Sequence, residues 1–175
     1  MRITGGIYSK RKIICPPGEI RPAMDMMRES IFSILGDLSG FSFCDLFTGS
    51  GVVGIEAASR GAAPVLLVEK DPGKIKIIKQ NTAFVETEIK VMCAPVERVI
   101  KRHPRVFDYI FCDPPFKYPY KEQLISRIEE SGMFSGRGLV ILHAPRADKM
   151  KESYSSLVLK DQRTYGNSLV WFYGK

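Results

Sequence analysis

Residues 43–54 read Phe43-Cys44-Asp45-Leu46-Phe47-Thr48-Gly49-Ser50-Gly51-Val52-Val53-Gly54. The apolar run at the start, bounded by turn residues, predicts a buried strand that ends in an acid, Asp45. Gly49, Gly51 and Gly54 follow in the spacing G-x-G-x-x-G. Val52-Val53-Gly54-Ile55-Glu56-Ala57-Ala58 then reads as the first turns of a helix. Strand, glycine loop and helix is the arrangement by which an α/β protein holds a nucleotide-like cofactor: glycine lets the backbone approach the ligand, and the helix N-terminus favours negative charge. The motif alone is weak. The strand before it and the helix after it supply the context it requires.

Downstream, strands and helices alternate. Strands are predicted at Val65–Val68, Ile89–Met92, Phe107–Cys112, Gly138–Leu142, Ser156–Leu159 and Ser168–Tyr173, and helices at about 71–83, 95–102 and 121–130. Upstream, Met27, Ile31, Ile34 and Leu35 recur at helical spacing within Met24–Leu35. This order predicts one doubly wound, mainly parallel sheet of seven strands, with the last two as an antiparallel pair at an edge. Residues 1–22 lack helical periodicity; extended pieces near Arg2–Thr4 and Lys12–Cys15, punctuated by Gly5-Gly6 and Pro16-Pro17-Gly18, predict a short hairpin arm belonging to the same domain.

Composition narrows the class. The 175 residues suffice for one domain with a full core, and 45% hydrophobic with 26% charged residues is ordinary for a globular chain. No apolar run approaches a membrane span, and the N-terminus lacks the apolar centre of a signal peptide, so a cytoplasmic location is expected. Cys15, Cys44, Cys93 and Cys112 form no C-x-x-C pair and His103 and His143 stand far apart, which argues against zinc. The formal charge of +7 permits a polyanionic partner. Arg2, Lys10, Arg11, Lys12 and Arg21 face only Glu19 in the arm, a pattern that reads either as a solvated terminus or as a grip on phosphates.

Three acids are expected at carboxyl ends of strands, where open α/β sheets bind ligands: Asp45, Glu69 and Asp113. Glu69 lies 20 residues after Gly49, where an acid can accept from both hydroxyls of a ribose; an ion pair with Lys70 or Lys74 is the structural alternative. Asp113 opens the tetrad Asp113-Pro114-Pro115-Phe116. Two prolines remove two N–H donors, leaving a carboxylate and carbonyls beside an aromatic face. That combination suits an exocyclic amine on a planar base, the amine donating while the ring stacks.

The tetrad together with Asp45-Leu46-Phe47-Thr48-Gly49-Ser50-Gly51 resembles the S-adenosylmethionine-dependent amino-methyltransferases of class I, Rossmann-like fold. Arg2-Ile3-Thr4-Gly5-Gly6, Arg21-Pro22 and Asp25 with Arg28-Glu29-Ser30-Ile31-Phe32-Ser33-Ile34-Leu35 are similar to the bacterial family that methylates the N2 amine of a guanine in 16S ribosomal RNA. The resemblance runs from the arm to Leu169–Tyr173 and implies a methyltransferase domain over 23–175. It implies that Asp45, Phe47, Thr48, Gly49, Ser50 and Gly51 hold the methionine end of S-adenosylmethionine. Glu69, with Lys70 beside it, would take the ribose, and the backbone at Cys93-Ala94 the adenine. Asp113 and Pro114 would receive the guanine amine, with Pro115 fixing the turn and Phe116 stacking on the base. Arg2, Lys10, Arg11, Lys12, Arg21 and Arg28 would face the RNA. The expected state is a monomer without metal or membrane attachment, acting on 16S rRNA or a small-subunit assembly particle.

Three positions depart from the family pattern: Ala23 stands in place of Thr, Cys93 in place of a polar residue, and Leu142-His143-Ala144-Pro145 lacks an expected acid. Other readings remain open on the residues alone. A nicotinamide dehydrogenase accounts for the glycine loop but not for the tetrad. A non-catalytic RNA-binding protein accounts for the arm. A DNA adenine or a protein glutamine is an alternative amine for the same tetrad.

Overall fold

The computed structural model describes residues 1–16 and 22–175. In chain order the elements are α1 (Pro22–Leu35), β1 (Phe43–Asp45), α2 (Val52–Ser59), β2 (Val65–Glu69), α3 (Pro72–Thr82), β3 (Ile89–Cys93), α4 (Val96–Arg102), β4 (Tyr109–Cys112), α5 (Lys121–Glu130), β5 (Val140–Pro145), β6 (Ser153–Tyr154), β7 (Leu157–Tyr165) and β8 (Ser168–Gly174). The strands form one sheet in the order β3-β2-β1-β4-β5-β8-β7-β6. The first five are parallel; β8 runs antiparallel to β5 and to β7. Among the described residues the sheet therefore has eight strands where the sequence predicted seven. The extra one, β6, is a two-residue piece pairing with the start of β7, too short to leave a periodic signal.

The central strands are apolar on both faces, as a covered parallel sheet requires; all five residues of β2 are buried. Side chains alternate across the sheet. Cys44, Leu66, Val68, Ile110, Cys112 and Leu142 meet Val99 of α4 and Leu124 of α5. Phe43, Val65, Leu67, Phe111 and Ile141 meet Phe32 of α1, Ala57 of α2 and Ile78 of α3 on the other face. Helix α2 lies unusually close to the sheet: a Cβ on Gly54 would fall 2.1 Å from Leu67 Cδ2, so this glycine permits close helix–strand packing.

Residues 1–16 of the arm form a hairpin packed on the domain. Arg2 bridges Lys12 in antiparallel fashion, and Ile3 N–H donates to the Arg11 carbonyl at 3.0 Å. Ile3, Tyr8 and Ile13 are buried against Val52 and Ile55. The Glu56 carboxylate, in α2, accepts from Thr4 N–H (2.8 Å), Thr4 Oγ1 (2.6 Å) and Gly5 N–H (2.9 Å). Asn81 in α3 holds the other limb, accepting from Ile14 N–H and donating to the Ile14 carbonyl, both at 2.9 Å. No helix among the described residues is long and apolar enough to cross a membrane.

Candidate active site

Strand order reverses between β1 and β4, and the crevice beyond their carboxyl ends is where such a sheet binds its ligands. The sequence places an acid on each side of it. Asp45 ends β1, in register with Phe111 of β4, and Asp113 follows β4 directly.

Asp45 is 1% exposed. Its two carboxylate oxygens and the Thr48 hydroxyl are buried and make no hydrogen bond of ordinary geometry among the described residues. Burial raises the Asp45 carboxyl from its ordinary 3.8 to about 7; the nearby Thr48 hydroxyl pulls it down and the Asp113 charge pushes it up. Buried acceptors of this kind suit a cationic donor. Beyond them the chain turns sharply. Thr48 N–H donates to the Val68 carbonyl at 3.0 Å, Gly51 N–H to the Thr48 carbonyl at 2.8 Å, and Gly51 caps α2 at φ 86°, a left-handed value. Asn81 also donates to the Ser50 carbonyl at 2.8 Å, so one side chain ties the glycine loop to the arm.

Glu69 ends β2 and is 7% exposed. Gly49 N–H donates to its Oε2 (3.1 Å) and Asp71 N–H to its Oε1 (2.9 Å), while Lys74 Nζ stands 4.0 Å away. The Lys74 contact foreseen as the structural alternative is thus present but long. Two N–H donors fix the carboxylate and leave lone pairs for further hydroxyl donors. Lys70 and Cys93 are exposed and Ala94 half-buried; the Ala94 N–H is engaged by the Glu69 carbonyl at 3.0 Å. The Phe47 ring meets Tyr118 edge-on at 5.5 Å, and Tyr118 donates to Glu97 at 2.7 Å. That bond holds the Glu97 carboxyl below its usual range, and burial pushes the Tyr118 phenol up.

At the tetrad, Pro114 is buried, Pro115 exposed, and Phe116 36% exposed at the mouth. Lys121 Nζ donates to the Phe116 carbonyl at 2.7 Å and stands 2.7 Å from Asp148 Oδ2. His143 Nδ1 lies 2.8 Å from Asp113 Oδ1. Met27, Arg28, Ile31, Phe32, Val52 and Val53 close a small apolar pocket against Phe111 and Asp113, so α1 roofs the crevice.

The arm residues Arg2, Lys10, Arg11 and Lys12 are all exposed, with the Arg11 guanidinium 4.2 Å over the Phe84 ring. Arg21 lies outside the described residues. Arg28, read from the sequence as an RNA contact, is 3% exposed. Its guanidinium meets Glu56 Oε2 at 3.2 Å and Asp25 Oδ1 at 3.0 Å and donates to the Arg2 carbonyl. The structure thus places it inside the junction of arm, α1 and α2. Glu56, Asn81 and Lys121 were not singled out as site residues. The available signals were an acid inside the apolar run Val52–Ala58, and polar side chains whose burial the local sequence does not show.

The family model described as conserved hypothetical protein 95 matches residues 1–174. The chain belongs to this family. Its relatives include the ribosomal RNA small subunit methyltransferase D of Escherichia coli K12, 30% identical over 82% of this chain and 74% of that one. The protein of the same name from Haemophilus influenzae is 29% identical over 94% and 89%. Among solved structures, a hypothetical protein of Thermus thermophilus superposes with a TM-score of 0.82 at 28% identity, covering 98% of both chains.

Proposed function

We propose that this protein transfers a methyl group from S-adenosylmethionine to the exocyclic N2 amine of a guanine in 16S ribosomal RNA, working as a cytoplasmic monomer. The observation that carries the reading is the meeting of two unlike acidic corners across one crevice: the buried, orphaned Asp45 carboxylate and the half-open Asp113 carboxylate with its prolines and Phe116. Relatives named as small-subunit ribosomal RNA methyltransferases support the same substrate class.

The residues fit the cofactor. Asp45 and the Thr48 hydroxyl have lone pairs free for the ammonium of its methionine end, and Glu69 for its ribose hydroxyls. When bound, the cofactor supplies a methyl group already activated on a sulfonium. The protein's part is placement and electrostatics. Asp113 and the Pro114 carbonyl accept the two N–H bonds of the amine and turn its lone pair toward the donor. They also stabilise the positive charge that develops on nitrogen. Phe116 stacks on the base once it has left its helix. Arg2, Lys10 and Lys12 grip flanking phosphates from the arm. Incubating the purified protein with labelled S-adenosylmethionine and 16S RNA from a strain lacking the gene tests the proposal: label in the RNA supports it, and none in any RNA overturns it.

A further inference from the structure

The Asp113 side chain is held from the neighbouring strand. Strands β4 and β5 run parallel with Ile110, Phe111 and Cys112 beside Val140, Ile141 and Leu142. One residue further on, the same register sets Asp113 beside His143. There the imidazole Nδ1 lies 2.8 Å from Asp113 Oδ1. The same ring meets Phe116 edge-on, 5.7 Å between centroids and 67° between planes. The histidine side chain is 5% exposed and the carboxylate 20%. One buried ring thus touches both side chains that would hold the base. Lys121 restrains the tetrad differently, through the Phe116 carbonyl, which leaves the Asp113 carboxylate free to turn about its own bonds.

We propose that His143 is a positioning residue for the acceptor amine: its Nδ1–H donates to Asp113 Oδ1, leaving Oδ2 as the oxygen that receives guanine N2–H. This rests on the methyltransferase reading of the site. A carboxylate only accepts, so the hydrogen between the two groups lies on Nδ1, and the bond made there fixes the tautomer of the whole ring. In the neutral ring Nε2 then carries the lone pair; it is buried with no hydrogen-bond partner among the described residues. The consequence is geometric. The amine lone pair must point at the methyl donor, and a rotating carboxylate would let it swing. Misplacement by about 1 Å is enough to slow such a reaction about 100-fold.

The test has two arms. The chain has two histidines, so nitrogen-15 NMR of the wild type and of His103→Gln assigns the imidazole of His143 without ambiguity. The Nδ1–H tautomer at neutral pH is expected, and Nε2–H overturns the proposal. In single-turnover assays at saturating S-adenosylmethionine, His143→Leu is expected to slow transfer about 100-fold while S-adenosylhomocysteine binds as before. His143→Asn, whose amide N–H reaches the place of Nδ1–H, restores most of the rate. A leucine variant as fast as wild type, or asparagine and leucine variants equally slow, overturns it. Failure of the underlying function shows separately, as a wild-type protein that methylates no RNA; the tautomer then decides by itself whether the bond is donated.

Discussion

Arg28 Nε lies 3.2 Å from Glu56 Oε2, in a buried ion pair that joins α1 to α2. Glu56 also receives Arg60 Nη2 at 3.1 Å and three donors from Thr4 and Gly5. The carboxylate is fully buried, so removing it takes a charged partner from Arg28 and Arg60 and leaves two N–H groups of the arm without their acceptor. Glu56→Ala is expected to lower unfolding free energy by about 3 kcal/mol or more. It should also open residues 1–16 to proteases before the sheet unfolds. Urea denaturation measures the first effect; a loss below about 1 kcal/mol would mean that the pair contributes no more than a surface contact.

Asp45 makes stability depend on pH with a definite sign. In the folded protein its carboxyl titrates near 7, against 3.8 ordinarily, chiefly because it is buried. Between those values the native state binds more protons than the unfolded chain. The Asp45 contribution is therefore complete below about pH 4 and is lost as pH rises through about 7. Asp45→Asn cannot titrate. Ligand-free thermal melts at about pH 5 and about pH 8 should show a smaller drop in Tm for the variant than for wild type. The variant should also bind S-adenosylhomocysteine about tenfold more weakly or worse, because it loses a charged acceptor. Parallel drops in Tm for both proteins would contradict the assignment.

The fold was legible where apolar runs are long and faces are covered. Val65–Val68 and the end of Phe107–Cys112 read as strands because each is buried on both sides. The turn from β1 into α2 was legible because Gly51 and Gly54 answer local demands, a left-handed φ and a helix pressed on Leu67. The rest depended on contacts distant in sequence. Ile3, Tyr8 and Ile13 are separated by charges and glycines, so nothing local marked the arm as packed rather than solvated. The buried partner of Arg28, Glu56, is 28 residues away in sequence, and only the fold shows that the charge of Arg28 is internal. His143 stood out in the sequence as a missing acid; the register of β5 against β4 is what brings it to Asp113.

Lys121 is 6% exposed and anchors the tetrad through the Phe116 carbonyl and Asp148. Lys121→Met keeps the length of the stem but loses both contacts. Transfer should slow about tenfold, because the turn that carries Phe116 loses the lysine anchor and Phe116 is held more loosely. Cofactor affinity should not change, because neither contact of the lysine involves Asp45 or Glu69. Comparing the single-turnover rate with S-adenosylhomocysteine titration checks this; equal losses in both would place Lys121 in general stability.

The exposed arm cations predict a salt signature. Replacing Lys10 or Lys12 with Ala should weaken RNA binding regardless of sequence and reduce the slope of log affinity against log salt by about one per residue. Arg28→Lys should leave that slope unchanged, since Arg28 is buried among Glu56, Asp25 and the Arg2 carbonyl. Filter binding over a range of salt separates the two; an equal change for Arg28 would place it on the RNA.

The central claim is that Asp113 receives a guanine amine beside a methyl donor. The most direct test digests 16S RNA from a strain lacking the gene after incubation with S-adenosylmethionine and either wild-type protein or Asp113→Ala, and identifies the nucleosides by mass spectrometry. The account predicts N2-methylguanosine with wild type and none with Asp113→Ala, although the variant still binds S-adenosylhomocysteine. A methyl group on another nucleoside, or equal transfer by the variant, would contradict it.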